Sequence, residues 1–172
     1  MESAKVFHAM NDIVISRGES SFLAKIDIFV NTHFVCTMPG DGVIIATPTG
    51  STAYSMASGG SIVHNDIPCI CMTPICPYSL SSRPLILPEY SMITIKVNPT
   101  CRMDLQITID GFINDIKLKK EEVLLIQASQ LEVPSILYFF TFLTSIKVIT
   151  GNEKKSFKSW AEKLRELLGY CQ

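Results

Sequence analysis

One segment in the first third of the chain concentrates side chains that can do chemistry. An acidic turn, Gly40-Asp41-Gly42, precedes an apolar run of strand length, and a loop rich in hydroxyl groups follows at residues 47–52. Backbone N–H groups and hydroxyls in such a loop can hold a polyhydroxylated or phosphorylated ligand at the start of a helix. The alternative is that Thr49, Ser51 or Thr52 only caps the short helix predicted after the loop.

Short sequence blocks on both sides of this loop occur in an order typical of one enzyme family. The blocks are Asn11-Asp12, Arg17-Gly18, Gly40-Asp41-Gly42, Thr47-Pro48-Thr49-Gly50-Ser51-Thr52-Ala53-Tyr54, Gly59-Gly60, Thr73-Pro74-Ile75-Cys76-Pro77, Ser79-Leu80-Ser81, Arg83-Pro84, Leu87-Pro88 and Asp110-Gly111. Together they resemble the signature region of the NAD kinases, the ATP-dependent enzymes that phosphorylate NAD to NADP. A single glycine-rich loop would be weak support, but this many ordered blocks form a specific match over residues 11–136.

The family's catalytic motif is missing from these 172 residues. Full-length NAD kinases begin with a separate α/β domain, whose Gly-Gly-Asp-Gly motif supplies the base for the ribose hydroxyl and approaches the ATP phosphates. The only Gly-Gly pair here is Gly59-Gly60, and Ser61 follows it. The resemblance therefore implies an NAD-binding domain without its catalytic partner domain, and we expect no catalytic residue in this chain.

The resemblance implies an acceptor site for NAD. Asn11 and Asp12 occupy the family's Asn-Glu motif near the adenosine ribose, where an asparagine amide can both donate to and accept from a diol. Asp12 is one methylene shorter than the family's usual glutamate. Asp41 matches an acidic residue on the nicotinamide side of NAD, and a plain turn aspartate is the alternative.

The hydroxyl-rich loop and a later arginine complete the expected site. Thr52, Ala53 and Tyr54 match the adenosine-contacting end of the loop, where small residues permit close approach and a tyrosine ring supplies a flat wall. Arg83 either holds an anion or forms a structural salt bridge. Asp110 matches an acidic turn of the family, and a structural role is favoured for it. The expected NAD contacts are Asn11, Asp12, Asp41, Thr49, Ser51, Thr52, Ala53, Tyr54 and Arg83.

The implied reaction is phosphoryl transfer from ATP to the adenosine 2′-hydroxyl of NAD, assisted by Mg²⁺ or another divalent metal. This chain would supply the acceptor site, and the other domain would supply the base and the phosphate cradle. The alternative is a catalytically dead NAD-binding or oligomerisation module. Neither a Walker loop nor a G-x-G-x-x-G fingerprint occurs, which disfavours P-loop enzymes and Rossmann dehydrogenases.

Composition restricts the partners. A net charge of −1 gives no electrostatic case for nucleic acid or an anionic membrane surface. No secretory leader pattern opens the chain, so we expect a cytoplasmic protein. Hydrophobic residues make up 47% of the sequence, which suggests apolar surface meant for a partner. Because family members assemble through this domain, we expect a homo-oligomer, either a dimer or a tetramer.

The cysteines predict reduced core thiols rather than a metal site. The sequence has six cysteines and three histidines, and none of the cysteines forms a C-x-x-C pair. Cys69 and Cys71 alternate with Ile70 and Met72, as buried thiols on one strand would.

Hydrophobic periodicity predicts a mainly β fold, a β-sandwich or prism-like domain over residues 1–150. Strands are expected at residues 13–16, 24–30, 33–38, 43–47, 69–73, 92–97, 105–109 and 123–126, with a short helix after the Thr-Gly-Ser-Thr loop. Residues 151–172 form a second unit, whose amphipathic helix at 156–169 is expected either to dock on the missing domain or to cover a sheet face. The apolar segment 136–149 is expected to form a buried strand pair or an oligomer contact.

Overall fold

The computed structural model describes residues 6–129 and 146–149. Strands dominate this part of the chain, and a short 3₁₀ helix, Thr49–Thr52, leads into the single-turn helix α1, Tyr54–Ala57. The strands are β1 (His8–Ala9), β2 (Asp12–Ser16), β3 (Ala24–Val30), β4 (His33–Gly40), β5 (Gly42–Ala46), β6 (Cys69–Ile75), β7 (Leu85–Pro88), β8 (Ile93–Val97), β9 (Leu105–Ile109), β10 (Phe112–Leu118), β11 (Val123–Ala128) and β12 (Ile146–Ile149).

Two six-stranded antiparallel sheets face each other. Sheet 1 has the order β1-β12-β11-β8-β3-β4, and sheet 2 has the order β10-β9-β2-β5-β6-β7. Strand β3 shows why these segments form strands: Ala24, Ile26, Ile28 and Val30 are buried and alternate with half-exposed neighbours, the period of a strand with one apolar face. The inner faces of both sheets share one hydrophobic core, so the predicted mainly β sandwich is confirmed.

The structure contains strands that the sequence analysis did not predict. Strand β7 lies within the proline-rich connector between β6 and β8, and it occupies the edge of sheet 2, where a strand tolerates proline. Strands β1 and β10 were also missed. Strand β12 falls within the apolar segment 136–149, and the rest of that segment lies outside the described residues. The expected helix at 156–169 lies outside them too.

A second, smaller apolar cluster covers the outer face of sheet 2. It consists of Val14, Ile44, Ala46, Val63, Cys69 and Cys71. Val63 belongs to the segment between β5 and β6, so this segment folds back over the sheet and buries its outer face. Burial raises the pKa of the Cys71 thiol to about 12, with the charge of Cys69 as a smaller cause. Thiols held neutral in this way are poor nucleophiles, which agrees with the predicted core role.

The other cysteines in the described part of the chain also lie outside any disulfide. Cys36 and Cys101 are buried, and Cys76 is exposed. In the described part of the chain, no helix is long and apolar enough to cross a membrane.

Candidate functional site

The hydroxyl-rich loop is anchored to the start of β2 by Thr47. The Thr47 hydroxyl donates to the Met10 carbonyl (2.7 Å) and accepts from the Gly50 N–H (3.0 Å), while its backbone N–H donates to the Asn11 carbonyl (2.9 Å). The 3₁₀ helix has no side-chain cap from Pro48, and Thr47 provides the hydroxyl acceptor one residue earlier. The loop is therefore joined to the backbone that carries the expected Asn-Asp motif.

Gly50 permits this close approach. A Cβ atom built on Gly50 would lie 2.0 Å from the Asn11 carbonyl oxygen and 2.5 Å from its carbon. No side chain fits at that distance, and both neighbouring atoms belong to the backbone and cannot rotate away. A glycine is therefore required wherever the loop packs on Asn11 in this way.

Buried hydroxyls hold the rest of the loop on sheet 2. The Ser51 hydroxyl donates to the Val63 carbonyl (3.3 Å) and accepts from the Val63 N–H (3.0 Å), and Ser51 is fully buried. Ser55 and Thr73, both buried, share a hydroxyl–hydroxyl bond of 2.8 Å. These bonds fix the start of α1 above the outer face of the sheet.

A cleft of about 550 Å³ opens between the start of α1 and the outer face of sheet 2. Four of the expected residues meet there: Asn11 and Asp12 at the start of β2, and Ala53 and Tyr54 at the start of α1. The complete lining is Asn11, Asp12, Val14, Ser16, Ala53, Tyr54, Thr108, Asp110 and Gly111. The other expected residues, Asp41, Thr49, Ser51, Thr52 and Arg83, do not line this cleft in the described part of the chain.

Asp12 is the most unusual group in the cleft. Its residue exposure is only 5%, yet within residues 6–129 and 146–149 no hydrogen bond reaches its carboxylate. Burial raises the pKa of the Asp12 carboxyl, and the nearby Asp110 charge raises it further. Buried polar groups normally have a hydrogen-bond partner, and a carboxylate without one in a cleft is a candidate for ligand contact.

The Asp110 carboxylate accepts three hydrogen bonds from the backbone next to it. It accepts the N–H groups of Met10 (2.8 Å), Asn11 (2.7 Å) and Asp12 (3.1 Å). These bonds join the turn between β9 and β10 to the backbone at the start of β2.

Five lining residues lie outside the expected set of NAD contacts: Val14, Ser16, Thr108, Asp110 and Gly111. Positions 12, 14 and 16 of β2 point to the same face, and Thr108 is the β9 partner of Val14. The alternation of side chains along β2, combined with the pairing register of β9, is the signal that could have identified Val14, Ser16 and Thr108. Because Val14 reads as a core residue, the sequence alone did not reveal it.

Asp41 lies at the other end of β2. Gly42, next to Asp41, pairs with Ser16, whereas Asp12 pairs with Ala46, so about 13 Å of strand separates the two ends. The Asp41 Oδ1 accepts from Arg17 Nε (2.7 Å), and both side chains are about one-third exposed.

The remaining expected residues have local partners. The Arg83 guanidinium donates to the Leu80 and Ser82 carbonyls of its own turn. The Thr52 hydroxyl, which is exposed, donates to the Thr49 carbonyl (3.1 Å).

The described residues do not assemble a metal centre. No group of three or more His, Cys, Asp or Glu side chains in this part of the chain is placed to hold a metal ion. The carboxylates that line the cleft are those of Asp12 and Asp110, and Asp110 already accepts three backbone N–H groups. Such a donor set does not fit a resident divalent cation.

Comparison with solved structures supports the fold. The structure superposes on yeast NADH kinase, solved in complex with NADH, with a TM-score of 0.62 and 39% identity, covering 99% of this chain and 44% of that one. An NAD kinase from Archaeoglobus fulgidus, solved in complex with ATP, gives a TM-score of 0.57 at 18% identity over 98% of this chain and 59% of that one. At that identity the second match bears on the fold alone.

Comparison with known sequences identifies the family. The mitochondrial NADH kinase POS5 of Saccharomyces cerevisiae is 58% identical over 95 residues, which are 55% of this chain and 23% of that protein. The probable chloroplastic NAD kinase 2 of Oryza sativa subsp. japonica is 42% identical over 132 residues, 77% of this chain and 13% of that protein. The chain thus spans less than a quarter of either relative. Because the model of the ATP-NAD kinase C-terminal domain matches residues 10–137, the chain belongs to the ATP-NAD kinase family.

Proposed function

We propose that the cleft binds NAD and presents its adenosine 2′-hydroxyl for phosphorylation by ATP, which gives NADP. The observation that carries this proposal is the buried Asp12 carboxylate, which faces the cleft without a hydrogen bond from the described residues. A ribose hydroxyl would supply the missing donor. The free energy of a hydrogen bond to a charged group, about 1.5–3 kcal/mol, would then offset the cost of burial.

The other lining groups suit an adenosine. The Asn11 amide can donate to one hydroxyl of a diol and accept from the other. Ala53 leaves room for a base to approach the start of α1, and the half-exposed Tyr54 ring supplies a flat apolar wall. The cleft thus has a polar end, which can hydrogen-bond to ribose hydroxyls, and an apolar end, which can pack against a base. Recognition of a nucleoside requires both.

The family's catalytic motif, Gly-Gly-Asp-Gly, does not occur in these 172 residues. A base for the 2′-hydroxyl, a cradle for the ATP phosphates and a site for Mg²⁺ or another divalent metal are all expected on the Gly-Gly-Asp-Gly domain of the family. The metal neutralises phosphate charge when it is bound with ATP. The residues described here bind and orient the acceptor, so we expect this chain alone to bind NAD without converting it.

The expected residues outside the cleft receive indirect or distal roles. Thr49, Ser51 and Thr52 would act by holding the loop that positions Ala53 and Tyr54. Asp41 remains a proposed contact for the nicotinamide half, at the far end of β2, and an extended dinucleotide can span that distance. Arg83 would hold the turn at the same end of the sheet through its carbonyl bonds.

Calorimetric titration of the purified chain with NAD, alongside an NADP-formation assay with ATP and Mg²⁺, tests the proposal. We expect saturable binding of NAD and no turnover. Absence of binding, both for this chain and after fusion to a Gly-Gly-Asp-Gly domain, would contradict the proposal. Binding that stays without turnover in the fusion would favour the alternative, a catalytically dead NAD-binding or oligomerisation module.

Assembly and location follow as further proposals. Large apolar side chains are exposed across the domain, including Phe22, Ile62, Tyr78, Leu80 and Tyr90, and they support a homo-oligomer formed by the β-domain of residues 1–150. Static light scattering at micromolar concentration should give the mass of a dimer or a tetramer, and the mass of a monomer would contradict this.

Residues 151–172 would dock on the Gly-Gly-Asp-Gly domain. Free thiols support a reducing compartment such as the cytoplasm.

A further inference from the structure

The Asp110 side chain hydrogen-bonds to the backbone of residues 10–12, which include the Asn11-Asp12 motif of the cleft. Its Oδ1 accepts the N–H groups of both Asn11 and Asp12, at 2.7 and 3.1 Å, and its Oδ2 accepts the Met10 N–H at 2.8 Å. Consecutive N–H groups that converge on one anion form a strong anion-binding concavity. In this protein an internal carboxylate fills that concavity.

The turn that carries Asp110 fixes the carboxylate in this place. Asp110 and Gly111 have φ values of +47° and +77° and connect β9 to β10. The left-handed conformation is one that aspartate adopts more readily than most residues. The Asp110 N–H also donates to the Asp12 carbonyl (3.0 Å). Both the backbone and the side chain of the turn are therefore hydrogen-bonded to the start of β2.

We propose that Asp110 is a positioning residue of the acceptor site: its carboxylate orients the backbone of residues 10–12 so that the Asn11 and Asp12 side chains face the ligand. The proposal rests on the proposed binding of NAD in the cleft, and it assigns Asp110 no contact with the reacting hydroxyl. The three hydrogen bonds that the Asp110 carboxylate accepts in the described part of the chain all come from backbone N–H groups. The Asn11 and Asp12 side chains are left to the ligand.

The same arrangement places one negative charge beside another. The Asp110 charge contributes to the raised pKa of the Asp12 carboxyl, after burial itself. Tyr54 is the other titratable group among the lining residues, and Asp110 is the one that shares the Asp12 end of β2. Removal of the Asp110 charge should therefore lower the pH at which the Asp12 carboxyl titrates.

Two substitutions at Asp110 separate positioning from charge. Asp110→Asn removes the charge but keeps one acceptor oxygen, which is enough for the Asn11 and Asp12 N–H groups. Asp110→Ala removes every acceptor. We expect Asp110→Ala to weaken NAD binding about tenfold or more, and Asp110→Asn to restore most of that loss. The control is Asp104→Asn, which removes an exposed carboxylate from the loop before the other end of β9 and should bind NAD like the parent chain.

An NMR titration of the Asp12 carboxyl carbon tests the proposal without NAD. The midpoint should move to lower pH in Asp110→Asn and stay in place in Asp104→Asn. An unchanged midpoint in Asp110→Asn, or parental NAD affinity in a folded Asp110→Ala, would overturn the proposal. If the parent chain failed to bind NAD, the proposed function would fall, and the Asp12 midpoint would still decide whether Asp110 controls this group. A lower unfolding midpoint in urea with unchanged NAD affinity and Asp12 titration would mean a merely structural Asp110.

Discussion

Substitution of Asp12 by alanine is expected to raise the Kd for NAD by about 10- to 150-fold. This range corresponds to the loss of one hydrogen bond to a charged acceptor, about 1.5–3 kcal/mol. The reason is that the Asp12 carboxylate is buried in the cleft with no hydrogen bond from the described residues, so its free acceptor capacity is available to a ribose hydroxyl. Calorimetric titration with NAD measures the change directly.

Loss of the Asp12 charge should weaken NAD binding but increase the stability of the fold. Burial of a charge without a partner is unfavourable, so Asp12→Asn, which keeps the shape and removes the charge, should raise the free energy of unfolding at neutral pH. The folded protein holds the pKa of Asp12 above the ordinary 3.8. Between these two pKa values the folded state binds more protons than the unfolded state, so the parent chain gains stability relative to Asp12→Asn as the pH falls.

Urea unfolding of the two proteins at several pH values measures this difference. Weaker NAD binding together with higher stability at neutral pH would identify Asp12 as a residue kept for its ligand. Asp104→Asn, an exposed substitution of the same type, should change neither quantity. A loss of stability in Asp12→Asn with unaltered NAD affinity would mean that the carboxylate serves the fold alone.

The second large effect is expected at Gly50. A methyl group in Gly50→Ala would enter the space of the Asn11 carbonyl, which lies 2.0 Å from the Cβ position. Either the loop or the start of β2 must then move, and overpacking of this kind costs about 1–3 kcal/mol. Because Ala53 and Tyr54 face Asn11 and Asp12 across the cleft, the movement should also weaken NAD binding about tenfold or more.

Gly59→Ala is the matched control for Gly50→Ala. Gly59 has a φ of +84°, but nothing lies within 4 Å of its Cβ position. Alanine there should cost about 1 kcal/mol of stability through backbone strain and leave NAD affinity unchanged. Denaturant unfolding and NAD titration of both variants separate the two effects. Wild-type affinity in Gly50→Ala would show that the contact between the loop and Asn11 does not shape the site.

The strands were predictable because their burial follows local periodicity. The alternation in β3 and the apolar run in β5 are visible in the sequence, and both form the expected elements. Strand β7 was missed because prolines surround it, and its position at a sheet edge explains why it tolerates them. Edge position is a tertiary property that local sequence does not encode.

About half of the residues that line the cleft could be predicted from the sequence motifs. The positions of the others depend on which strands pair in sheet 2. The motif resemblance pointed to Asn11, Asp12, Ala53 and Tyr54, and the structure brings these four together. Thr108 joins them because β9 pairs with β2 although about 90 residues separate these strands in the sequence. The same pairing places Asp110 under the backbone of Asn11 and Asp12. No local pattern predicts such a long-range register.

Amide chemical-shift mapping of NAD binding to the isotope-labelled chain tests the central claim most directly. If the cleft is the acceptor site, the largest shifts should arise at Asn11, Asp12, Ala53 and Tyr54, with smaller ones along the outer face of β2 and at Thr108. The amide of Cys101, in the core away from the cleft, should stay in place. Shifts that cluster elsewhere, with residues 10–12 and 53–54 unaffected by saturating NAD, would contradict the account.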